Sequence, residues 1–126
     1  MKKILLITAA LMLVFGAGLL VGANRFGKPK SVLHIVTVKW KADSTPAQRE
    51  AAIKGVEKMA GEIAGVKNVW TDTLKVQGAG YNNVFVMEFE NKAAFDAYAD
   101  NAAHKDWEKL YLPIREQSTT HDATNK

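Results

Sequence analysis

The stretch SVLHIVTVKW, followed directly by KADSTPAQRE, constrains the fold more than any other feature of the chain. The first ten residues are dense in β-branched side chains and read as a strand. A period of two places His34, Val36, Val38 and Trp40 on one face and Leu33, Ile35 and Thr37 on the other. Both faces are mostly apolar, so the strand is expected to be buried on both sides. The period then changes. Thr45 is placed as an N-cap, Pro46 as the first helical residue, and Gln48, three positions after Thr45, completes a capping box. Ala52, Val56, Met59, Ala60 and Ile63 recur at helical spacing as one apolar stripe, while Lys54 and Lys58 face water. Gly65 ends the helix.

The rest of the chain supplies the partners these elements need. VKNVWTDTLKV reads as a second strand, QGAG as a turn and YNNVFVMEFE as a third strand, the two strands forming a hairpin. Tyr81, Asn83, Phe85, Met87 and Phe89 share one face of the third strand. Asn91 caps a second helix, NKAAFDAYADNA, and HKDWEKLYLPI adds a short further helix or turn that Pro113 stops. REQSTTHDAT is a polar, weakly patterned fourth strand, and ATNK is expected to fray. The order β-α-β-β-α-β predicts an α+β fold of ferredoxin-like type: a four-stranded antiparallel sheet with helices on one face. The other face of that sheet still carries apolar residues, and an exposed apolar patch marks an interface. A two-fold homodimer with sheets packed face to face, a dimeric α+β barrel, is therefore expected.

The N-terminus has its own logic. Lys2 and Lys3 precede an uncharged run from Ile4 to Ala23. A basic start, an apolar core and small residues at Val21-Gly22-Ala23 fit a signal peptide cleaved after Ala23. The run is also long enough to span a bilayer. Residues 1–23 are thus a signal peptide or an N-terminal anchor, 24–30 a linker, 31–122 the domain and 123–126 a tail. Export is expected, to the periplasm or beyond, or anchoring to the inner membrane by residues 4–23. Removing Lys2 and Lys3 leaves 15 basic against 13 acidic side chains, a net charge of +2. That excludes nucleic-acid binding by charge, and contact with a membrane is expected only through an uncleaved leader. No cysteine is present, which excludes disulfides, zinc thiolates and a cysteine nucleophile.

Three residues are candidates for chemistry, His34, Tyr98 and His104, though a strand histidine such as His34 is more often hydrogen-bonded architecture than a catalyst. Tyr98 and His104 are six apart and do not share a face of a continuous helix. If the helix breaks between Asn101 and Ala103, His104 can turn back toward Tyr98. A histidine can then take a proton from a carbon acid while a phenol hydrogen-bonds the enolate. The plainer alternative is that His104 caps the last carbonyls of the helix and Tyr98 packs in the core. A metal triad of His34, His104 and Asp106 has no supporting local spacing, so no metal and no cofactor is expected. His121 is read as solvated, and Trp40, Trp70 and Trp107 as core and interface filling.

The run V-x-H-I-V-x-x-K-x-K from Val32 to Lys41, and Y-x-x-x-x-x-H-x-x-W from Tyr98 through His104 to Trp107, sit at opposite ends of this topology. In both, the chain resembles the stress-responsive α/β-barrel domain family. The resemblance implies a dimeric α+β barrel. A polyketide-cyclising branch of the family closes rings by aldol-type chemistry without metal or cofactor, and the resemblance implies that His34, Tyr98 and His104 stand where its pocket histidine, tyrosine and catalytic histidine stand. Asn83 stands where that branch has a third-strand histidine, a departure, since asparagine exchanges no proton at neutral pH. On that ground a homodimeric module binding a small apolar molecule, or a protective module, ranks first. A cofactor-independent lyase or cyclase acting on a carbonyl substrate is the alternative, and a small monooxygenase-like barrel a further one.

Overall fold

The structure, a computed structural model, describes residues 26–126, so the leader expected over 1–23 lies outside the described residues. The elements are β1 (Val32–Trp40), α1 (Pro46–Glu62), β2 (Val66–Trp70), β3 (Asn83–Phe89), α2 (Lys92–Tyr98), α3 (Ala102–Tyr111) and β4 (Arg115–Ala123). The four strands form one antiparallel sheet in the order β2-β3-β1-β4. This is the ferredoxin-like β-α-β-β-α-β fold, with the second helical unit split into α2 and α3.

The local signals act where the sequence places them. Thr45 caps α1 with the full capping box: the Gln48 amide donates to Thr45 Oγ1 at 3.2 Å, and the Thr45 amide donates to Gln48 Oε1 at 2.8 Å. These bonds satisfy donors that a helix start otherwise leaves unpaired. The stripe of α1 (Ala52, Val56, Met59 and Ala60) is buried, and Ile63 follows it into the core. It packs on the inward face of the sheet, where Phe85, Met87 and Phe89 meet Val36 and Val38 of β1. Each such side chain removed from water contributes roughly 2 kcal/mol.

Four expectations change. Strand β1 is buried on one face only: Val32, His34, Val36, Val38 and Trp40 are buried, while Leu33, Ile35, Thr37 and Lys39 are half-exposed. Apolar residues on both faces do not mean two covers within one chain; the helices reach a single face. Strand β2 ends at Trp70 rather than near Val76. Thr73 instead uses its hydroxyl to accept from the Val84 amide at 2.9 Å and to donate to the Val84 carbonyl at 3.0 Å, replacing the backbone pairing there. The loop beyond is longer than the QGAG turn, with Gly78 and Gly80 at positive φ. The C-terminal tail is tied down, not frayed. Thr124 Oγ1 donates to the Ser31 carbonyl at 2.9 Å and Asn125 Nδ2 to the Pro29 carbonyl at 2.6 Å.

Two features position the site. Trp107 of α3 donates its indole N–H to the Ala52 carbonyl of α1 at 2.8 Å and stacks on Tyr111, which clamps α3 against α1. Gly55 makes room for that indole: a methyl group at Gly55 would lie 2.9 Å from Trp107 Cδ1. The register of β1 against β4 then sets Asp122 opposite His34, Thr120 opposite Val36 and Ser118 opposite Val38.

Candidate active site

The helical unit after β3 breaks because Asn101 starts a new helix. Its side chain accepts from the Ala103 amide at 2.9 Å, an N-cap on α3. The break turns the chain so that His104 comes back over Tyr98, with ring centroids 4.3 Å apart. His34, from the buried face of β1, approaches the same phenol from the sheet at 5.3 Å. His34, Tyr98 and His104 thus line one open cavity of about 230 Å³. Phe85, Trp107 and Tyr111 wall it, and Ser118 and Thr120 of β4 line it from the sheet edge.

The two histidines are held in the same way. His34 Nδ1 lies 2.7 Å from Asp122 Oδ1, and a carboxylate only accepts, so Nδ1 carries the hydrogen. His104 Nδ1 lies 3.2 Å from the Ala99 carbonyl, which also only accepts. In each ring Nε2 is left as the free lone pair. Glu108, one turn beyond His104, sits 3.9 Å from His104 Nε2. That is too long for a hydrogen bond with the neutral ring and within ion-pair distance of a protonated one.

Tyr98 is buried, and burial pushes its phenol well above the ordinary phenol range. The carboxylates of Glu108 and Asp122 and the phenol of Tyr111 push in the same direction. Tyr98 therefore stays a neutral hydrogen-bond donor through the whole physiological range. The arrangement holds two imidazole lone pairs and one phenol O–H around a small space.

The plainer reading of the helix-ending motif holds. His104 does satisfy the Ala99 carbonyl, and Tyr98 does pack in the core against Phe89. These contacts fix the rings at the cavity wall. Asp106 goes elsewhere: it pairs with Lys109 at 2.7 Å and lines a separate groove between α1 and α3. Among the described residues no cluster of three metal-ligating side chains forms. His121 is exposed on β4, Trp40 and Trp107 are buried, and Trp70 lies half-exposed on the outer sheet face.

Asn83 is outside the cavity. Its Oδ1 accepts from the Trp40 indole at 2.6 Å, and it lines a different hollow beside α1. Sequence reasoning missed Asp122, Glu108 and Ser118. Glu108 was within reach of a helical-spacing argument, being four residues after His104. Asp122 and Ser118 depend on the β1–β4 register, for which a polar, weakly patterned strand gives no signal.

The profile of the stress-responsive A/B barrel domain matches residues 32–125. The chain belongs to that family. No match was found among curated protein sequences. Solved structures give the fold its relatives. A dimeric ferredoxin-like protein of unknown function from Thermobifida fusca is 22% identical, with 80% of this chain and 96% of that chain covered and a TM-score of 0.66. The hydroxynitrile lyase of Passiflora edulis is 17% identical, with 78% and 95% covered and a TM-score of 0.66. The cofactor-independent oxygenase SnoaB of Streptomyces nogalater is 11% identical, with 77% and 94% covered and a TM-score of 0.62. At these identities the likeness is one of fold.

Proposed function

We propose that the protein is a cofactor-independent enzyme of lyase or cyclase type that moves protons on a small carbonyl substrate. The observation that carries this reading is the pair of histidines, each with Nδ1 pinned to an acceptor, facing one buried phenol in one cavity. His104 Nε2 takes a proton from the carbon next to a carbonyl, and the electron pair moves onto the carbonyl oxygen as an enolate. The Tyr98 phenol donates a hydrogen bond to that oxygen without giving up its proton. The enolate then attacks a second carbonyl, or the same steps in reverse cleave the carbon–carbon bond. One proton moves in all: His104 hands it to the alkoxide that the attack leaves, and His34, held by Asp122, offers its Nε2 lone pair to the cavity as a hydrogen-bond acceptor. Asn83 offers no objection, because in this chain it holds Trp40 and takes no part in the cavity. The same fold carries the hydroxynitrile lyase of Passiflora edulis.

The test is exchange of α-protons of small ketones in deuterated buffer, followed by proton NMR, for the wild type, His104→Ala and Tyr98→Phe. Wild-type exchange well above buffer, lost by about 100-fold or more in His104→Ala, is the expected outcome for a general base. Exchange no faster than free imidazole of equal concentration, or unchanged in His104→Ala, refutes it. A binding module is the second reading, supported by the openness of the cavity. It predicts a small molecule retained in native mass spectrometry and lost in Tyr98→Phe and His104→Ala, with no exchange.

The working unit in this proposal is a homodimer. The outward sheet face sets Ile35, Val86 and the exposed Trp70 in one cross-strand row, with Leu33 and Val84 on the same face, an apolar patch open to a partner. The related Thermobifida fusca protein is dimeric. Sedimentation as a monomer at micromolar concentration refutes the dimer. The proposed location is outside the cytoplasm, by cleavage after Ala23 or by anchoring through residues 4–23. Mass spectrometry of the protein from a fractionated cell decides between them.

A further inference from the structure

The inward face of β4 is unlike the rest of the core. Arg115, Ser118, Thr120 and Asp122 sit opposite Trp40, Val38, Val36 and His34 of β1, so a row of four polar residues lies on the helix-covered side of the sheet. Arg115 and Ser118 are half-buried there, while Thr120 and Asp122 are exposed. Asp122 is accounted for by His34. At the other end of the row lies Arg115.

Arg115 is half-buried and lines the same cavity as His34 and His104. Its guanidinium lies over the Tyr111 ring at 5.4 Å and makes one long contact, 3.4 Å, to Ser118 Oγ. Among the described residues no carboxylate pairs with it. Glu108 is the other charged group of the cavity and sits 3.9 Å from His104 Nε2. The Tyr111 hydroxyl is buried without a hydrogen-bond partner. A guanidinium with unused donors, a hydroxyl and an unpartnered phenol thus meet at one end of a cavity whose other end holds the histidines.

We infer that Arg115, with Ser118 and Tyr111 beside it, anchors a carboxylate, and that the cavity takes oxo acids whose carboxylate is several bonds from the reacting carbonyl. The position of the carbonyl, against Tyr98 and His104, rests on the function proposed above; the anchor itself does not. A planar guanidinium suits a planar carboxylate through two parallel N–H···O bonds. The spacing follows from the strand. Ser118 and Asp122 are four residues apart, roughly 14 Å at the rise of an extended chain. A 2-oxo acid, with adjacent carboxylate and carbonyl, cannot reach both ends.

The experiment compares 7-oxooctanoate, its methyl ester and 2-oxooctanoate by calorimetric titration of the full chain at neutral pH, with α-proton exchange recorded on the same samples. Wild type is expected to bind the 7-oxo acid about tenfold or more tighter than its ester, the advantage of a charge-assisted pair. Arg115→Gln should erase that difference and leave ester binding unchanged. Arg115→Lys should restore part of it, and 2-oxooctanoate should show no such advantage over an ester. Ser118→Ala, which leaves the Arg115–Tyr111 contact in place, should weaken the acid and not the ester. Equal binding of acid and ester, binding of the acid unchanged by Arg115→Gln, or no binding of either overturns the anchor. Exchange as fast on the ester as on the acid leaves the proton-transfer reading standing without the anchor. Arg115-dependent binding of the acid without exchange does the reverse.

Discussion

Replacing Gly55 with alanine tests the contact on which the whole site leans. Two effects oppose each other. Alanine in place of glycine in a helix interior gains about 1 kcal/mol from backbone entropy. Against that, the new methyl would lie 2.9 Å from Trp107 Cδ1, 3.3 Å from its Nε1 and 3.4 Å from Leu110 Cδ1. The indole has nowhere to retreat: its N–H is bound to the Ala52 carbonyl at 2.8 Å, and its ring stacks on Tyr111 at a 4.4 Å centroid separation. Overpacking a rigid contact costs about 1–3 kcal/mol. Pulling the indole off its carbonyl costs roughly a further 1 kcal/mol. The clash wins, and Gly55→Ala is expected to destabilise by about 1–3 kcal/mol net. Gly61 is the internal control. It lies in the same helix, with nothing within 4 Å of an added methyl, so Gly61→Ala should stabilise by up to about 1 kcal/mol. Urea denaturation of both variants measures the difference. Because His104 is one turn from Trp107, Gly55→Ala should also lower α-proton exchange. If Gly55→Ala stabilises as much as Gly61→Ala, α3 is not clamped as described, and the placement of His104 falls with it.

Three further outcomes are expected. Burial raises the phenols of Tyr98 and Tyr111, so above pH ~10 the unfolded chain releases protons that the folded one keeps, and stability falls as pH rises by up to ~1.4 kcal/mol per unit for each group; Tyr98→Phe should flatten that fall between pH 9 and 11, and an unchanged slope refutes the burial argument. Asp122→Asn keeps a side chain of the same shape but removes the charge beside His34; because His104 is the base, exchange should stay within about threefold of wild type with the fold intact, read by circular dichroism beside the NMR rate, and a loss of about tenfold would move the base to His34. Thr45→Ala removes the capping box of α1 and should cost about 1 kcal/mol in urea with no change in exchange beyond that loss.

The features legible in neighbouring residues lie within short separations. The capping box at Thr45 to Gln48, the alternation of β1 and the Asn91 cap are local physics, and each stands in the structure. The helix break that folds His104 back to Tyr98 is also local, since Asn101 caps α3 by bonding two residues on. The order of these elements carries the ferredoxin-like topology, because helices with one apolar stripe must cover a sheet face. Tertiary structure decided the rest. That His34 bonds Asp122, 88 positions away, follows from the β1–β4 register. The polar pattern of β4, a weak strand signal in sequence, is the cavity lining once the register turns Arg115, Ser118 and Thr120 inward. Only packing could show that the outward face of β1 is half-exposed and that Asn83 serves Trp40. Local hydrogen bonds and periodicity are written in neighbouring residues; the environment of a ring nitrogen is set by whichever distant strand the fold lays beside it.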